Sequence, residues 1–427
     1  MKLKILCLIT IISFNNIFSQ TKLTLSDAIK IGLKNNYNLR ISNKNVEISR
    51  RNNSWGTAGR FPTIDLVVNS INRYDNNDSE IITNNLIPSV QLNWVLFNGF
   101  QIFHTKSLLE DQQKLSEGLN AVQVENTIKA IILSYFDVVL QKEKLNVFEE
   151  LEVLSKDRYN RMKTGQELGN AVTYEVLQAK TSWLEDRSNF LSQKLNYDNS
   201  VRALNLLIGE KTDKNYSHFE EFKIELKEYS FEDLKERMAI NNKNLKNQYL
   251  NEMISEREID IARSGIFPKL IFNAGYDYTK VRRDIRGVAI QNTNSYDYYG
   301  NLTLKLNIFN GFNTRRALEI AKIKNEISKI KIEEIKHSLD NSLIQLLELY
   351  NIQKELLNVA DENVNSTKLN LQISEEKFKN GVINSFNYRD VQLVYLNASL
   401  RKLNAIYNLI KTDTELARLT GSIITEE

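Results

Sequence analysis

Residues able to do chemistry are few in this chain of 427. His104, His218 and His337 are scattered, with no partner at metal-ligand spacing, so they do not make a zinc site. No glycine loop of the kind that cradles phosphate occurs, and no Gly-x-Ser-x-Gly turn presents a nucleophile. Carboxylates abound, but they are mixed with lysines at three- and four-residue spacing, which marks a solvated helix face. Asn387 and Asp390 stand three apart and so share a helix face, with Arg389 between them. An acid at a helix start is favoured by the helix dipole whatever else it does. No constellation reads as an active site, and the expectation is a protein that is not an enzyme.

Function must then lie in architecture. Lys2 and Lys4, the apolar run Ile5 to Phe14, and Ser19 ahead of Gln20 read as a secretory signal over residues 1–19. The run is too short to span a bilayer. Cys7, the only cysteine, falls inside it and too early for a lipoprotein cut, so the exported chain has neither disulfides nor cysteine metal sites. Losing Lys2 and Lys4 takes the formal charge from +3 to +1, which gives no electrostatic case for nucleic-acid binding. No later stretch approaches eighteen consecutive apolar residues, so any membrane-crossing part must be built from strands.

The chain repeats itself. Thr24 and Asp27 match Ser230 and Asp233 as helix caps, 206 residues apart, and Pro62 matches Pro268 at the same offset. Leu96-Phe97-Asn98-Gly99-Phe100 is echoed by Ile308-Phe309-Asn310-Gly311-Phe312. Lys163-Thr164-Gly165 is paired with Lys379-Asn380-Gly381, and the stretch ending at Gly209 with the one ending at Gly421. Residues 313–379 contain neither glycine nor proline, and 67 residues of helix span about 100 Å. Ile332, Ile335, Leu339, Leu343, Leu346 and Tyr350 step along it by three or four, a coiled-coil-like stripe that needs partner helices.

After each proline the period drops from 3.6 to 2. Ile64, Leu66 and Val68 alternate with polar residues in 63–74, as do Val90, Leu92, Trp94 and Leu96 in 90–97. Leu270, Phe272, Ala274, Tyr276 and Tyr278 do so in 269–280, and Leu302, Leu304, Leu306 and Ile308 in 299–309. Polar loops 75–86 and 281–298, the latter holding Arg282, Arg283 and Arg286, are expected to join them as hairpins. One apolar and one polar face suits lipid outside and water inside. A soluble sandwich over a helical layer would show the same alternation; export and the isolation of the strands in two hairpins favour the membrane. Four strands cannot close a barrel, so several chains must contribute.

The phenylalanine-proline before a strand in each repeat, the Asn98-Gly99 and Asn310-Gly311 turns that launch long helices, and the duplication resemble the TolC-like outer-membrane efflux proteins. The resemblance implies a mainly α chain with a transmembrane β-barrel: four membrane strands per chain, twelve in a homotrimer, continued by a long α-helical barrel in the periplasm. It divides the chain into a signal (1–19), a first repeat (20–213), an equatorial linker (214–228), a second repeat (229–421) and a tail (422–427). Within the repeats it places hairpins at about 63–97 and 269–309, long helices at 100–164 and 313–379, and return helices at 172–207 and 385–419. Pro62, Pro268, Asn98, Gly99, Asn310 and Gly311 mark the helix–strand junctions, and Gly165 and Gly381 the periplasmic hairpin turns.

The resemblance further implies a periplasmic adaptor protein, an inner-membrane pump, contact with outer-membrane lipid, and no cofactor, since the pump supplies energy. The periplasmic end of such a channel is closed by inward-bending hairpins lined by acids. Asp390, Asn387 and, in the first repeat, Glu175 fall on those positions, with Arg389 a candidate link; Asn387 is an amide where the family has an acid. A three-fold ring of Asp390 would favour cations. The chain is thus expected to be the exit duct of a tripartite efflux or type I secretion system. A periplasmic adaptor or structural coiled-coil protein is the alternative, disfavoured by two matched strand hairpins.

Overall fold

The computed structural model describes residues 22–76, 80–216, 218–222 and 226–423. The expected signal segment and the last four residues of the tail lie outside them.

Each half of the chain builds the same six elements. The first half gives α1 (Leu25–Asn35), α2 (Tyr37–Asn52), β1 (Thr63–Asn76), β2 (Glu80–Asn98), α3 (Gln101–Glu167) and α4 (Thr173–Ile208). The second gives α5 (Phe231–Asn241), α6 (Lys243–Ser264), β3 (Lys269–Ile285), β4 (Gln291–Lys305), α7 (Asn313–Lys379) and α8 (Ser385–Leu419). Thr24 caps α1, its hydroxyl accepting from the Asp27 amide at 3.1 Å. Asn36 and Asn242 begin α2 and α6, each accepting from an amide three residues on at 3.0 Å. Their side-chain amides donate to the Leu207 and Leu419 carbonyls at 2.7 and 2.9 Å. One buried asparagine per repeat thus ties the leading helix pair to the end of the returning helix.

α3 and α7 each run 67 residues, about 100 Å at the usual rise. Gly118 does not interrupt α3; it lets α6 approach, and a methyl there would come within 1.9 Å of Asn247 Oδ1. Most of the core sits part-way along the helices in two equivalent clusters, with a smaller third one, Leu371, Phe378, Tyr388 and Tyr395, towards the α7–α8 tip. Ile131, Tyr135, Val138 and Leu204 centre the first; Leu343, Tyr350, Leu409 and Leu416 centre the second. Each such side chain stabilises the fold by about 1.5–3 kcal/mol. Tyr135 Oη also donates to the Leu23 carbonyl at 2.9 Å and accepts from the Glu220 amide at 2.8 Å, pinning the inter-repeat segment.

The four strands form one antiparallel sheet in the order β1-β2-β3-β4. The two hairpins, distant in sequence, are therefore neighbours. The register puts Leu66, Val90, Tyr276 and Tyr298 in one row and Ile64, Leu92, Ala274 and Gly300 in the next, so one face is apolar. The other face carries Thr63, Asn93, Asn273 and Asn301 side by side. Pro88 sits inside β2, where it has no N–H to give, and the β2–β3 pairing lapses between Leu86 and Ser89.

The strands are longer than the alternation alone indicates, and both expected loops shrink. Asn76 already pairs with Glu80, and Arg283 with Gln291, because the polar residues flanking each turn still satisfy the backbone ladder. Arg282 and Arg283 accordingly belong to β3 and not to a loop. β4, in contrast, stops at Lys305 and not at Phe309: its last pair is with Lys269, where β3 begins. No helix among the described residues is long and apolar enough to cross a membrane.

Candidate functional site at the helical tips

The functional residues proposed from sequence fall at two places, the strand–helix junctions and the far tips of the helical hairpins. At the junctions, Pro62 and Pro268 directly precede β1 and β3. Gly99 (φ 69°) and Phe100 (φ 66°) turn the chain into α3, and Gly311 (φ 65°) and Phe312 (φ 63°) turn it into α7. The two phenylalanines are the only non-glycine residues with positive φ among the described residues, at matching positions of the repeat. Each ring meets an earlier phenylalanine edge-on, Phe97 at 5.3 Å and Phe309 at 5.4 Å, which helps hold a backbone conformation costing about 1–2 kcal/mol. Asn98 Oδ1 accepts from the Ile102 amide at 3.3 Å, and Asn310 Nδ2 donates to Thr314 Oγ1 at 2.6 Å.

At the second tip, α7 ends at Lys379, Asn380 caps it, and Gly381 has φ 71°. The Val382 amide reaches back to the Lys377 carbonyl at 2.8 Å, the closing bond of a left-handed helix terminus. Asn384 then caps α8, accepting from the Asn387 amide at 2.8 Å. At the first tip the left-handed residue is Gly169 (φ 79°), with the Asn170 amide bonded to the Gly165 carbonyl at 2.7 Å. Gly165 itself lies within α3, so the hairpin turn is displaced from the expected glycine and Gly169 is the counterpart of Gly381. The physical reason is local: the helix continues until its carbonyls can be satisfied by a residue in the left-handed region, and Gly165 stays helical.

α8 has two faces at this tip. Tyr388, Gln392 and Tyr395 are buried, and Tyr388 stacks on Phe378 at 4.8 Å. Asn387, Asp390, Val394 and Asn397 form the exposed stripe. Arg389 points elsewhere, giving two hydrogen bonds to Asp186 of α4 at 2.6 and 2.8 Å. Asp186 is 1 % exposed. Beside them Arg158 of α3 donates to the Ser385 carbonyl at 3.1 Å, and burial together with the Arg389 charge pushes its guanidinium down to about 10. Arg389 is thus an inter-helix tie within one chain. Sequence reading missed Asp186 and Arg158, since nothing local links residues 203 apart in sequence. Glu175 is half-buried and accepts from the Val172 amide at 3.3 Å, so it caps α4. The geometry brings Asn387 and Asp390 together on a free face, and holds Arg389 and Glu175 to their own chain.

A four-stranded sheet apolar on one face, continued by helices about 100 Å long, fits an export conduit. Residues 28–210 and 234–422 match the family model described as "Outer membrane efflux protein". The chain belongs to the outer membrane efflux protein family. Among relatives of this family, it is 20 % identical over 395 residues to the solvent efflux pump outer membrane protein SrpC of Pseudomonas putida, covering 91 % of this chain and 83 % of that protein. The toluene efflux pump outer membrane protein TtgI, also of Pseudomonas putida, matches to the same extent. The fold is similar to that of the Campylobacter jejuni CmeC outer membrane channel, at TM-score 0.74 and 17 % identity, covering 93 % of this chain and 85 % of that one. The open state of the Neisseria gonorrhoeae MtrE outer membrane channel gives TM-score 0.69 and 16 % identity, with 93 % and 89 % covered. As a member of this efflux family, the chain is an outer-membrane channel protein whose helices extend into the periplasm.

Proposed function

We propose that three copies of this chain form the exit duct of a tripartite export machine, a passive conduit that takes its substrate from an inner-membrane pump through a periplasmic adaptor protein. The sheet carries the reading. It presents an apolar face to lipid and a polar face to water, and both its outer edges are free of strand partners among the described residues. Three such sheets give twelve strands, enough to close a barrel and to leave a lumen. The relatives' names, a solvent and a toluene efflux pump, support a pump as the source of substrate.

In this reading the hairpin tips narrow the periplasmic end. Asn387 and Asp390 line the constriction from the exposed face of α8, while Arg389 and Asp186 fix that helix to its neighbour. Gating then means a change in how α7 and α8 lean on α3 and α4. The test is reconstitution of the detergent-extracted protein in planar bilayers. The expected outcome is stepwise conductance from an oligomer of three chains; a monomer without conductance removes the proposal.

A further inference from the structure

Arg282 and Arg283 are neighbours in β3 and face opposite sides of the sheet. Side chains alternate along a strand. The face that carries Leu66, Val90, Tyr276 and Tyr298 therefore carries Ser70, Leu86, Lys280 and Asn294 two rows further out. The row after that holds Asn72, Asn84, Arg282 and Asn292. Arg283 lies on the polar face, in a row with Arg73, Thr83 and Gln291. Two cations thus stand on the face that is apolar nearer the helices.

Their height along the strand gives that placement meaning. Leu270 to Tyr278 measures about 27 Å along β3, or about 20 Å of height at the usual tilt, most of the roughly 25 Å of an outer-membrane apolar band. At the top of this span tyrosine rings gather, with centroids 4.9 Å apart for Tyr276 and Tyr298 and 6.2 Å for Tyr296 and Tyr298. Aromatic side chains take that position at the level of lipid head groups. Lys280 begins one row above Tyr278, at the end of the sheet away from the helices. Lys280 and Arg282 are both exposed, and neither enters an ion pair among the described residues. Of the acids on this face, Asp284 lies one row beyond Arg282, and Glu80 pairs with Arg286 at 3.4 Å. Asn84 and Asn292 flank Arg282, and Asn294 flanks Lys280, each with an amide able to donate. Residues two apart on a strand are separated by about 7 Å, room for one tetrahedral anion between the two cations.

We propose that Lys280 and Arg282 hold the phosphate of a lipid head group in the outer leaflet. Arg282 gives two parallel N–H bonds to phosphate oxygens, Lys280 adds a point charge, and the flanking asparagine amides donate to the oxygens that remain. A lipid is the occupant, and not a free anion, because one such molecule meets both parts of the surface. Its acyl chains cover the apolar rows below the tyrosines while its phosphate neutralises two cations that have no carboxylate of their own. Arg283, one residue on, faces water and takes no part.

The site rests on the export-channel reading, and two measurements on the same preparations keep them apart. The full chain in detergent is titrated with phosphatidic acid, with diacylglycerol of the same chains and with inorganic phosphate, and bound lipid is counted by native mass spectrometry. Lys280→Gln with Arg282→Gln should weaken phosphatidic acid binding by about 30-fold, since each basic residue near a lipid surface contributes about fivefold. Arg283→Gln makes the same change of charge on the other face and should bind as the unaltered protein does. The exchange Lys280→Arg with Arg282→Lys keeps both charges and should retain most of the binding. Diacylglycerol should bind weakly and equally to all of them. Unchanged binding in the double glutamine variant overturns the site, and so does an equal loss in Arg283→Gln. Displacement of phosphatidic acid by equimolar inorganic phosphate overturns the lipid as occupant. Conductance in planar bilayers is read alongside. Conducting protein indifferent to Lys280 and Arg282 loses the lipid site and keeps the channel, whereas non-conducting monomer removes both. Should the double variant fail to assemble, Lys280→Gln and Arg282→Gln singly decide, each with an expected loss of about fivefold.

Discussion

Arg389 and Asp390 are adjacent in sequence and do opposite things. Arg389 turns inward to a carboxylate with almost no access to water, and Asp390 faces outward. Removing one partner of a buried pair leaves the other charged and unsolvated, so Arg389→Ala should destabilise the protein by about 3–5 kcal/mol. Thermal unfolding in detergent measures this, and adding Asp186→Ala should recover part of the loss, because the orphaned charge goes with it. Glu125 on α3 is buried and one of its oxygens has no hydrogen-bond partner. Burial holds its carboxyl above the usual range, against the pull of Lys243, Arg418 and Lys246. The native state therefore keeps the proton longer than the unfolded chain. The contribution is fully present below the ordinary carboxylate value and is lost as pH rises through the raised one. Glu125→Gln should accordingly raise the unfolding midpoint at pH 7.5, by about 1 kcal/mol of stability, and do little at pH 4.

The elements were legible wherever a residue type alone dictates backbone behaviour. Residues 313–379 lack glycine and proline and form one helix; Pro62 and Pro268 directly precede strands β1 and β3, although α2 and α6 already stop at Asn52 and Ser264. Glycine is less decisive, since the same residue serves inside a helix or past its end. The repeat pairs Gly165 with Gly381 as a turn, yet the fold keeps Gly165 helical and gives the turn to Gly169. Gly118 shows why a helix keeps such a residue: its missing side chain is filled by Asn247. In an isolated helix Gly→Ala gains about 1 kcal/mol, but here the methyl meets a buried amide. Gly118→Ala should therefore destabilise, and Gly118→Ala with Asn247→Ala should regain stability beyond the sum of the single changes. A double-mutant cycle of unfolding midpoints checks it, and strict additivity would refute the close approach.

At the scale of the whole molecule, a single Asp390 on a free helix face has little to act on. Brought together in copies around one narrow opening, the same carboxylate sets a local negative field. Asp390→Ala should reduce the channel's preference for cations and its block by multivalent cations, read from reversal potentials and conductance in bilayers. Unchanged selectivity would return Asp390 to a plain helix-start acid.

Residue types and spacing along the chain suffice for the duplication, the switch of period after Pro62 and Pro268, and the long helices. Each depends on neighbours along the chain, on residue type and on spacing. That the two hairpins lie in one sheet, that Arg389 belongs to Asp186, and that β4 stops at Lys305 emerges with the folded packing. Those outcomes depend on which surfaces meet across some two hundred residues, and meeting is settled by packing and by the need to pair every buried backbone and charged group.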